Sequence, residues 1–152
     1  MRKISLIIPA LDEEHAIGPL LDAVDRELVR DVIVGDNGSR DATAAVARAR
    51  GAEVVAVAER GYGAACAGAL TRLRDDVEIV VFMDADGSDD PAEIPLLLAP
   101  ILQNRADLVI GSRLLGTIEP GALTPQQRFG NWLATLLIRQ DTGHLQAEYV
   151  PG

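Results

Sequence analysis

Two aspartates one residue apart, Asp84 and Asp86, follow an apolar run from Ile79 to Met83. The run predicts a strand buried on both faces, as in a parallel sheet. Open α/β sheets bind their ligands beyond the carboxyl ends of such strands. Two carboxylates this close repel each other unless a cation lies between them, so we expect a divalent metal at this pair. Asp84 and Asp86 are called the aspartate pair below.

Two further aspartates follow other predicted strands. Asp12 comes after the first strand and Asp36 after the second. Because Asp is also favoured in turns, ligand binding and turn chemistry explain each of them about equally well. Asp89 and Asp90 precede a predicted helix, and capping of that helix accounts for both.

Basic residues near strand ends are candidates for binding phosphate. Arg113 follows a predicted strand, and Arg128 lies one turn into a predicted helix. The segment 60–63, Arg-Gly-Tyr-Gly, is either a phosphate cradle at a helix N-terminus or a tight turn. A dinucleotide fingerprint would need a third glycine at position 66, which is Cys66, so an oxidoreductase of the Rossmann type is excluded.

The composition limits the class of protein. The 152 residues suffice for one domain with a sizeable core, and 48% of them are hydrophobic. Fourteen basic and twenty-three acidic residues give a net charge of −9, which argues against nucleic-acid binding. Cys66 is the one cysteine, so no disulfide framework or thiolate zinc site is expected. The sequence shows no signal peptide or membrane span, and we expect a cytoplasmic protein.

Apolar runs alternate with helical periodicities along the chain. They predict an open, mostly parallel α/β sheet with right-handed crossovers. Strands are expected at 4–8, 31–35, 53–58, 79–83 and 107–111. Helices are expected at about 14–28, 39–50, 63–74, 91–102 and 124–138. From residue 140 to 152 we expect an irregular tail.

Four segments resemble, in order, the motifs of family 2 glycosyltransferases, and most of all those of dolichol-phosphate and polyprenyl-phosphate sugar synthases. The segments are Ile7–Glu14, Val34–Asp41, Asp84–Asp86 and Gly111–Arg113. The resemblance covers about residues 2–139. It implies a three-layer αβα GT-A domain, Rossmann-like, over residues 1–139.

The resemblance also implies roles for individual residues. The aspartate pair would hold Mg²⁺ or Mn²⁺ against the diphosphate of a UDP- or GDP-sugar. Arg113 and Arg128 would grip the phosphate of a polyprenyl or dolichyl acceptor at the membrane surface, with Arg113 and the aspartate pair as the catalytic residues. Transfer would invert the anomeric centre. The nucleotide pocket would be lined by Pro9, Ala10, Asp12, Glu13, Asp36 and Asp84.

The sequence departs from the family pattern at three places. Asp12 stands where the family more often has Asn, and Ser88 stands where close relatives have Gln. After residue 139 the acceptor-side segment of the family is missing, so we expect a C-terminally truncated member. Without that segment the apolar face of the helix at 125–138 would be exposed, which predicts self-association or peripheral adhesion to the inner membrane face.

Three other interpretations remain. The segment 82–88 also resembles the Asp-x-Asp signature of haloacid-dehalogenase-type phosphatases, in which Asp84 would be the nucleophile. That strand is the fourth here rather than the first. A sugar nucleotidyltransferase would need a basic, glycine-rich loop where this chain has Asp12, Glu13 and Glu14. A non-catalytic nucleotide-binding remnant would carry the same nucleotide motifs without turnover.

Overall fold

The computed structural model describes the backbone of residues 2–112 and 147–151 and the side chains of residues 2–111. The chain forms two compact units, Met1–Ala92 and Glu93–Gly152. The first holds the predicted nucleotide and metal positions. The domain boundary predicted at residue 139 lies outside the described residues.

The first unit is built on a four-stranded parallel sheet. The strands are β1 (Ile4–Ala10), β2 (Asp31–Asp36), β3 (Glu53–Ala56) and β4 (Ile79–Phe82). Their order across the sheet is β3-β2-β1-β4. Ile7 of β1 lies opposite Ile33 of β2 and Phe82 of β4. The predicted parallel α/β architecture is confirmed.

Helices connect successive strands of this sheet. They are α1 (Ile17–Ala23), α2 (Thr43–Ala49) and α3 (Tyr62–Leu70). The chain steps from β1 to β2 to β3 in one direction and then returns across the sheet to β4. Because parallel crossovers are right-handed, α1 and α2 lie on one face and α3 on the other. In agreement, α1 packs against α2, and α3 packs on β1 and β2. The order reverses between β1 and β4, and this switch point is where open α/β sheets bind ligands.

The core is centred on β1, whose seven residues are all buried. A strand covered by helices on both faces must be largely apolar on both, which explains why β1 is aliphatic except at Ser5 and Pro9. On the α3 side the packing is closest at Gly35, where an added Cβ would lie 2.2 Å from the carbonyl oxygen of Ala65. The backbone of α3 therefore lies directly on β2.

Two local predictions differ from the structure. We expected the first strand to stop before Pro9, but β1 continues to Ala10. The Ile7 carbonyl accepts the N–H of Met83 (3.1 Å), so alternate residues of β1 face β4. Pro9 therefore faces the side where β4 has already ended, and its missing N–H costs no ladder bond there. The second helix was expected to begin at about residue 39, but α2 begins after Ala42 and has no side-chain cap.

The second unit contains α4 (Ile94–Leu102) and the strands β5 (Leu108–Ser112) and β6 (Ala147–Pro151). The two strands pair in parallel, as a sheet of their own. The tail expected to be irregular from residue 140 thus includes a strand. The helix predicted at 124–138 lies outside the described residues. Among the helices that the structure describes, none has the length and apolar character needed to span a membrane.

Candidate functional site at the carboxyl edge of the first sheet

Most of the predicted site residues meet at the carboxyl edge of the four-stranded sheet. Asp36 is the last residue of β2, and Asp84 lies two residues beyond the end of β4. The predicted residues at this edge are Pro9, Ala10, Asp12, Glu13, Asp36, Asp84 and Asp86. Arg113 and Arg128 lie outside the residues whose side chains are described. The predicted nucleotide and metal residues before position 112 thus surround the switch point between β1 and β4.

The loop after β1 is fastened to the loop after β2 by hydrogen bonds. Asp12 donates its N–H to Ser39 Oγ (3.0 Å), and Glu13 donates its N–H to Thr43 Oγ1 (2.7 Å). In return, Asp12 Oδ1 accepts the N–H of Arg40 (2.7 Å). Asp12 has a φ of 57°, a conformation that Asp adopts more readily than most residues. Its carboxylate therefore joins the two loops.

Asp36 and Asn37 are both buried, although they are polar. Asp36 Oδ1 accepts the N–H of Ser39 (3.1 Å). The Asn37 side chain donates to the carbonyl of Glu59 (2.6 Å) and accepts the N–H of Gly61 (2.8 Å). An amide with both ends bonded can be buried without the cost of an unpaired polar group. Asn37, which the sequence did not single out, thus joins the loop after β2 to the loop after β3.

Arg60 brings a positive charge to this otherwise acidic edge. Its guanidinium lies beside Gly38, where an added Cβ would be 3.8 Å from the guanidinium carbon. Gly38 has a φ of 84°, which favours glycine at this position. The segment 60–63 leads into α3 and so lies at the same edge as Asp36. This is the location that the phosphate-cradle interpretation requires.

The aspartate pair is carried by a tight loop. The N–H of Asp84 donates to Asp89 Oδ2 (3.0 Å), and the N–H of Ser88 donates to Asp86 Oδ1 (2.8 Å). Gly87, between Asp86 and Ser88, has a φ of 76°. Asp89, which we assigned to helix capping, therefore also fastens the loop that carries the pair.

Tyr62, the first residue of α3, reaches the aspartate pair. Its hydroxyl donates a hydrogen bond to Asp84 Oδ1 (3.0 Å). Desolvation of the hydroxyl, together with this bond, raises the pKa of Tyr62. Burial and the nearby Asp84 charge raise the pKa of Cys66, one turn further along α3. A thiol with a raised pKa is a poor nucleophile.

The contact between Tyr62 and Asp84 was not predicted from the sequence. The residues are 22 positions apart, and Tyr62 was considered only as part of the segment 60–63. The available indication was its place at the start of a helix that follows a parallel strand, since that point lies at the ligand-binding edge.

The donor atoms of the aspartate pair suit a hard divalent cation, because both ligands are carboxylates. Among residues 2–111, no three acidic, histidine or cysteine side chains are grouped so as to hold a metal. Magnesium-like ions are commonly held by one or two carboxylates together with substrate phosphates. Two carboxylates fit a metal that is bound in this way.

Comparison with known protein families adds independent information. The family model described as glycosyl transferase family 2 matches residues 5–150. The low-salt glycan biosynthesis hexosyltransferase of Haloferax volcanii is 36% identical over 138 residues, covering 87% of this chain and 33% of that protein. The dodecaprenyl-phosphate galacturonate synthase of Rhizobium johnstonii is 29% identical over 153 residues, covering 93% of this chain and 44% of that protein.

A solved structure is similar over nearly the whole chain. It is glucosyl-3-phosphoglycerate synthase from Mycobacterium tuberculosis in complex with Mn²⁺, UDP and glucosyl-3-phosphoglycerate. The TM-score is 0.67 at 29% identity, covering 95% of this chain and 53% of the other. The chain thus spans between a third and about half the length of the relatives described here.

Proposed function

The chain belongs to glycosyl transferase family 2, and on this basis we propose that it transfers a sugar from a nucleotide-diphosphate donor to a phosphate-bearing acceptor. The observation that carries the proposal is the arrangement at the switch point of its GT-A fold. There the aspartate pair and the buried Asp36 stand at one edge of the same sheet. In this proposal the metal–diphosphate complex lies at the aspartate pair and the nucleoside at Asp36.

In this proposal the donor is a UDP-sugar and the metal is Mn²⁺ or Mg²⁺. The complex of the mycobacterial synthase with UDP and Mn²⁺ supports this choice. Asp36 contacts the base, and Pro9, Ala10 and Glu13 line the rest of the nucleotide pocket. The aspartate pair holds the metal. A bound divalent metal supplies positive charge that stabilises the departing nucleoside diphosphate.

The acceptor in this proposal is a polyprenyl phosphate, as the name of the Rhizobium relative suggests. Its phosphate oxygen is already anionic, so no strong general base is required. That oxygen attacks the anomeric carbon as the bond to the diphosphate breaks, and a single displacement inverts the configuration. Arg113 and Arg128 would grip the acceptor phosphate. A lipid acceptor would bring the protein to the membrane surface as a peripheral enzyme.

A small phosphorylated acceptor is the second candidate. It is favoured by the similarity to glucosyl-3-phosphoglycerate synthase, whose structure with its glucosylated product has the TM-score of 0.67. Both candidates place an anionic phosphate near the sugar. They differ in whether the acceptor is a lipid and in the attacking oxygen, which is a phosphate oxygen in polyprenyl phosphate and would be the hydroxyl of 3-phosphoglycerate, whose proton a general base must accept.

Donor binding is tested by thermal unfolding with UDP, GDP and CDP, each with and without Mn²⁺. A ligand that binds the native state raises the melting temperature. We expect a metal-dependent increase with UDP that Asp86→Ala abolishes. Asp90→Ala is the matched control, since Asp90 lies in the same loop but accepts the N–H of Ala92 (2.9 Å). The absence of any nucleotide effect would overturn the proposal.

Transfer is tested by release of UDP from UDP-sugars in the presence of either acceptor. Release with polyprenyl phosphate in vesicles, but not with 3-phosphoglycerate, supports the first candidate, and the reverse result supports the second. Nucleotide binding without turnover on either acceptor would identify a non-catalytic nucleotide-binding protein.

A further inference from the structure

Asp84 is held from two sides by residues of the first unit. Its backbone N–H is bound to Asp89, which fixes the position of the main chain. Its side chain accepts the Tyr62 hydroxyl at Oδ1. A carboxylate bonded at one oxygen cannot rotate freely about its Cβ–Cγ bond, so its second oxygen is presented in one direction. A metal ligand needs this kind of fixed orientation.

Tyr62 itself rests on a fixed backbone. The N–H of Gly61, the residue before it, donates to the buried Asn37 side chain (2.8 Å). One turn further along α3, the carbonyl of Ala65 lies directly against Gly35 of β2. The start of α3 is therefore fastened on both sides of Tyr62. The Tyr62 hydroxyl can therefore hold Asp84, in the loop after β4, at a fixed position relative to α3.

Stability does not explain this hydrogen bond well. Tyr62 as a whole residue is 61% exposed, although its hydroxyl is partly desolvated. Because most of the residue remains in water, the bond contributes little to folding. What the bond does determine is the orientation of one carboxylate of the aspartate pair. Partners of this kind, which orient a metal ligand without touching the metal, typically change metal affinity 10–100-fold when removed.

We propose that Tyr62 is a positioning residue for the metal, with its hydroxyl holding the Asp84 carboxylate in the orientation that binds the divalent cation. This inference rests on the proposed function, because it concerns the same metal–nucleotide site. It assigns a role at the metal site to a residue outside the aspartate pair, which lies in the connection between β3 and β4. It also links the loop that carries Asp36 and Asn37 to the metal position through α3.

The test compares Tyr62→Phe with wild type by calorimetric titration of Mn²⁺ into the protein saturated with UDP. We expect the Kd for Mn²⁺ to rise about 10–100-fold in the variant. The affinity for UDP without metal and the melting temperature without ligands should remain those of wild type. Thr71→Ala is the matched control, since it removes an exposed hydroxyl hydrogen bond at the end of the same helix and leaves the Tyr62–Asp84 bond in place.

The outcomes separate this inference from the proposed function. If wild type does not bind UDP together with Mn²⁺, the proposed function fails, and the role of Tyr62 fails with it. If wild type binds both and Tyr62→Phe binds Mn²⁺ equally well or more tightly, only the role of Tyr62 is overturned. A variant that also loses metal-free UDP affinity and melts earlier would show a general structural role and would likewise overturn it.

Discussion

The backbone N–H of Asp84 donates a hydrogen bond to the carboxylate of Asp89 at 3.0 Å. This bond closes the loop that carries the aspartate pair, so that both carboxylates leave the end of β4 from a constrained backbone. The Asp89 carboxylate thus accepts a hydrogen bond from a main-chain N–H five residues earlier in the chain.

Replacing Asp89 should loosen this loop. Asp89→Ala leaves a partly buried N–H without its acceptor, so we expect the free energy of unfolding to fall by about 1–3 kcal/mol. Asp89→Asn keeps an acceptor oxygen and should lose less. Urea unfolding of both variants provides the measurement. Equal stability of Asp89→Ala and wild type would show that the bond is not maintained in solution.

Gly35 should not tolerate a side chain. An added Cβ would lie 2.2 Å from the Ala65 carbonyl oxygen, and neither backbone can move without separating α3 from β2. We expect Gly35→Ala to lower the free energy of unfolding by about 3 kcal/mol or more. Gly63→Ala is the control, because a Cβ there meets nothing within 4 Å and should raise helix stability by up to about 1 kcal/mol. Wild-type unfolding of Gly35→Ala would contradict this packing.

Asn37 should matter for both stability and nucleotide binding. Asn37→Ala removes the bonds to Glu59 and Gly61 and leaves buried polar groups unpaired, at a cost of about 1–3 kcal/mol. UDP binding should weaken with and without Mn²⁺, because the loop after β2 loses its connection to α3. Thr71→Ala, which removes an exposed bond at the end of α3, should change stability by no more than about 0.5 kcal/mol. A variant with full stability and full UDP affinity would refute the bridging role.

Acid should weaken an ion pair on the opposite, amino-terminal side of the sheet. The Arg30 guanidinium, followed by the Lys3 ammonium, holds the pKa of Asp76 well below its usual range. Because the unfolded chain binds the proton more readily, the stabilisation is complete above about pH 4 and is lost as the pH falls through the lowered pKa. We expect the difference in unfolding free energy between wild type and Asp76→Asn to shrink from pH 5 to pH 2.

The control for this pH dependence is Asp75→Asn, which makes the same change of net charge at the neighbouring position. The difference in unfolding free energy between Asp75→Asn and wild type should vary less with pH. Added salt should reduce the effect of Asp76 at pH 5, since the side chains of Lys3 and Asp76 are about half exposed and that of Arg30 about one third. An unchanged difference between wild type and Asp76→Asn across the pH range would rule out the ion pair as its origin.

Much of the fold followed from local patterns. Apolar runs of strand length alternating with helical periodicity predicted the parallel α/β sheet, because burial on both faces leaves this pattern in the sequence itself. Helix ends were less predictable. Ser39 suits a cap by type, yet its hydroxyl accepts the N–H of Asp12 from another loop. Which of several backbone N–H groups a hydroxyl accepts depends on the loop that packs against it.

The sequence by itself determined that Asp36, Asp84 and Asp86 stand beyond strand ends, and its motifs identified the family. Only the tertiary structure decided what holds them. The strand order β3-β2-β1-β4 brings the start of α3 beside the end of β4. That proximity lets Tyr62 reach Asp84 and lets Asn37 fasten Gly61. Such bonds join residues more than 20 positions apart, and no local periodicity or turn preference encodes them, because they arise from how the crossovers fold back over the sheet.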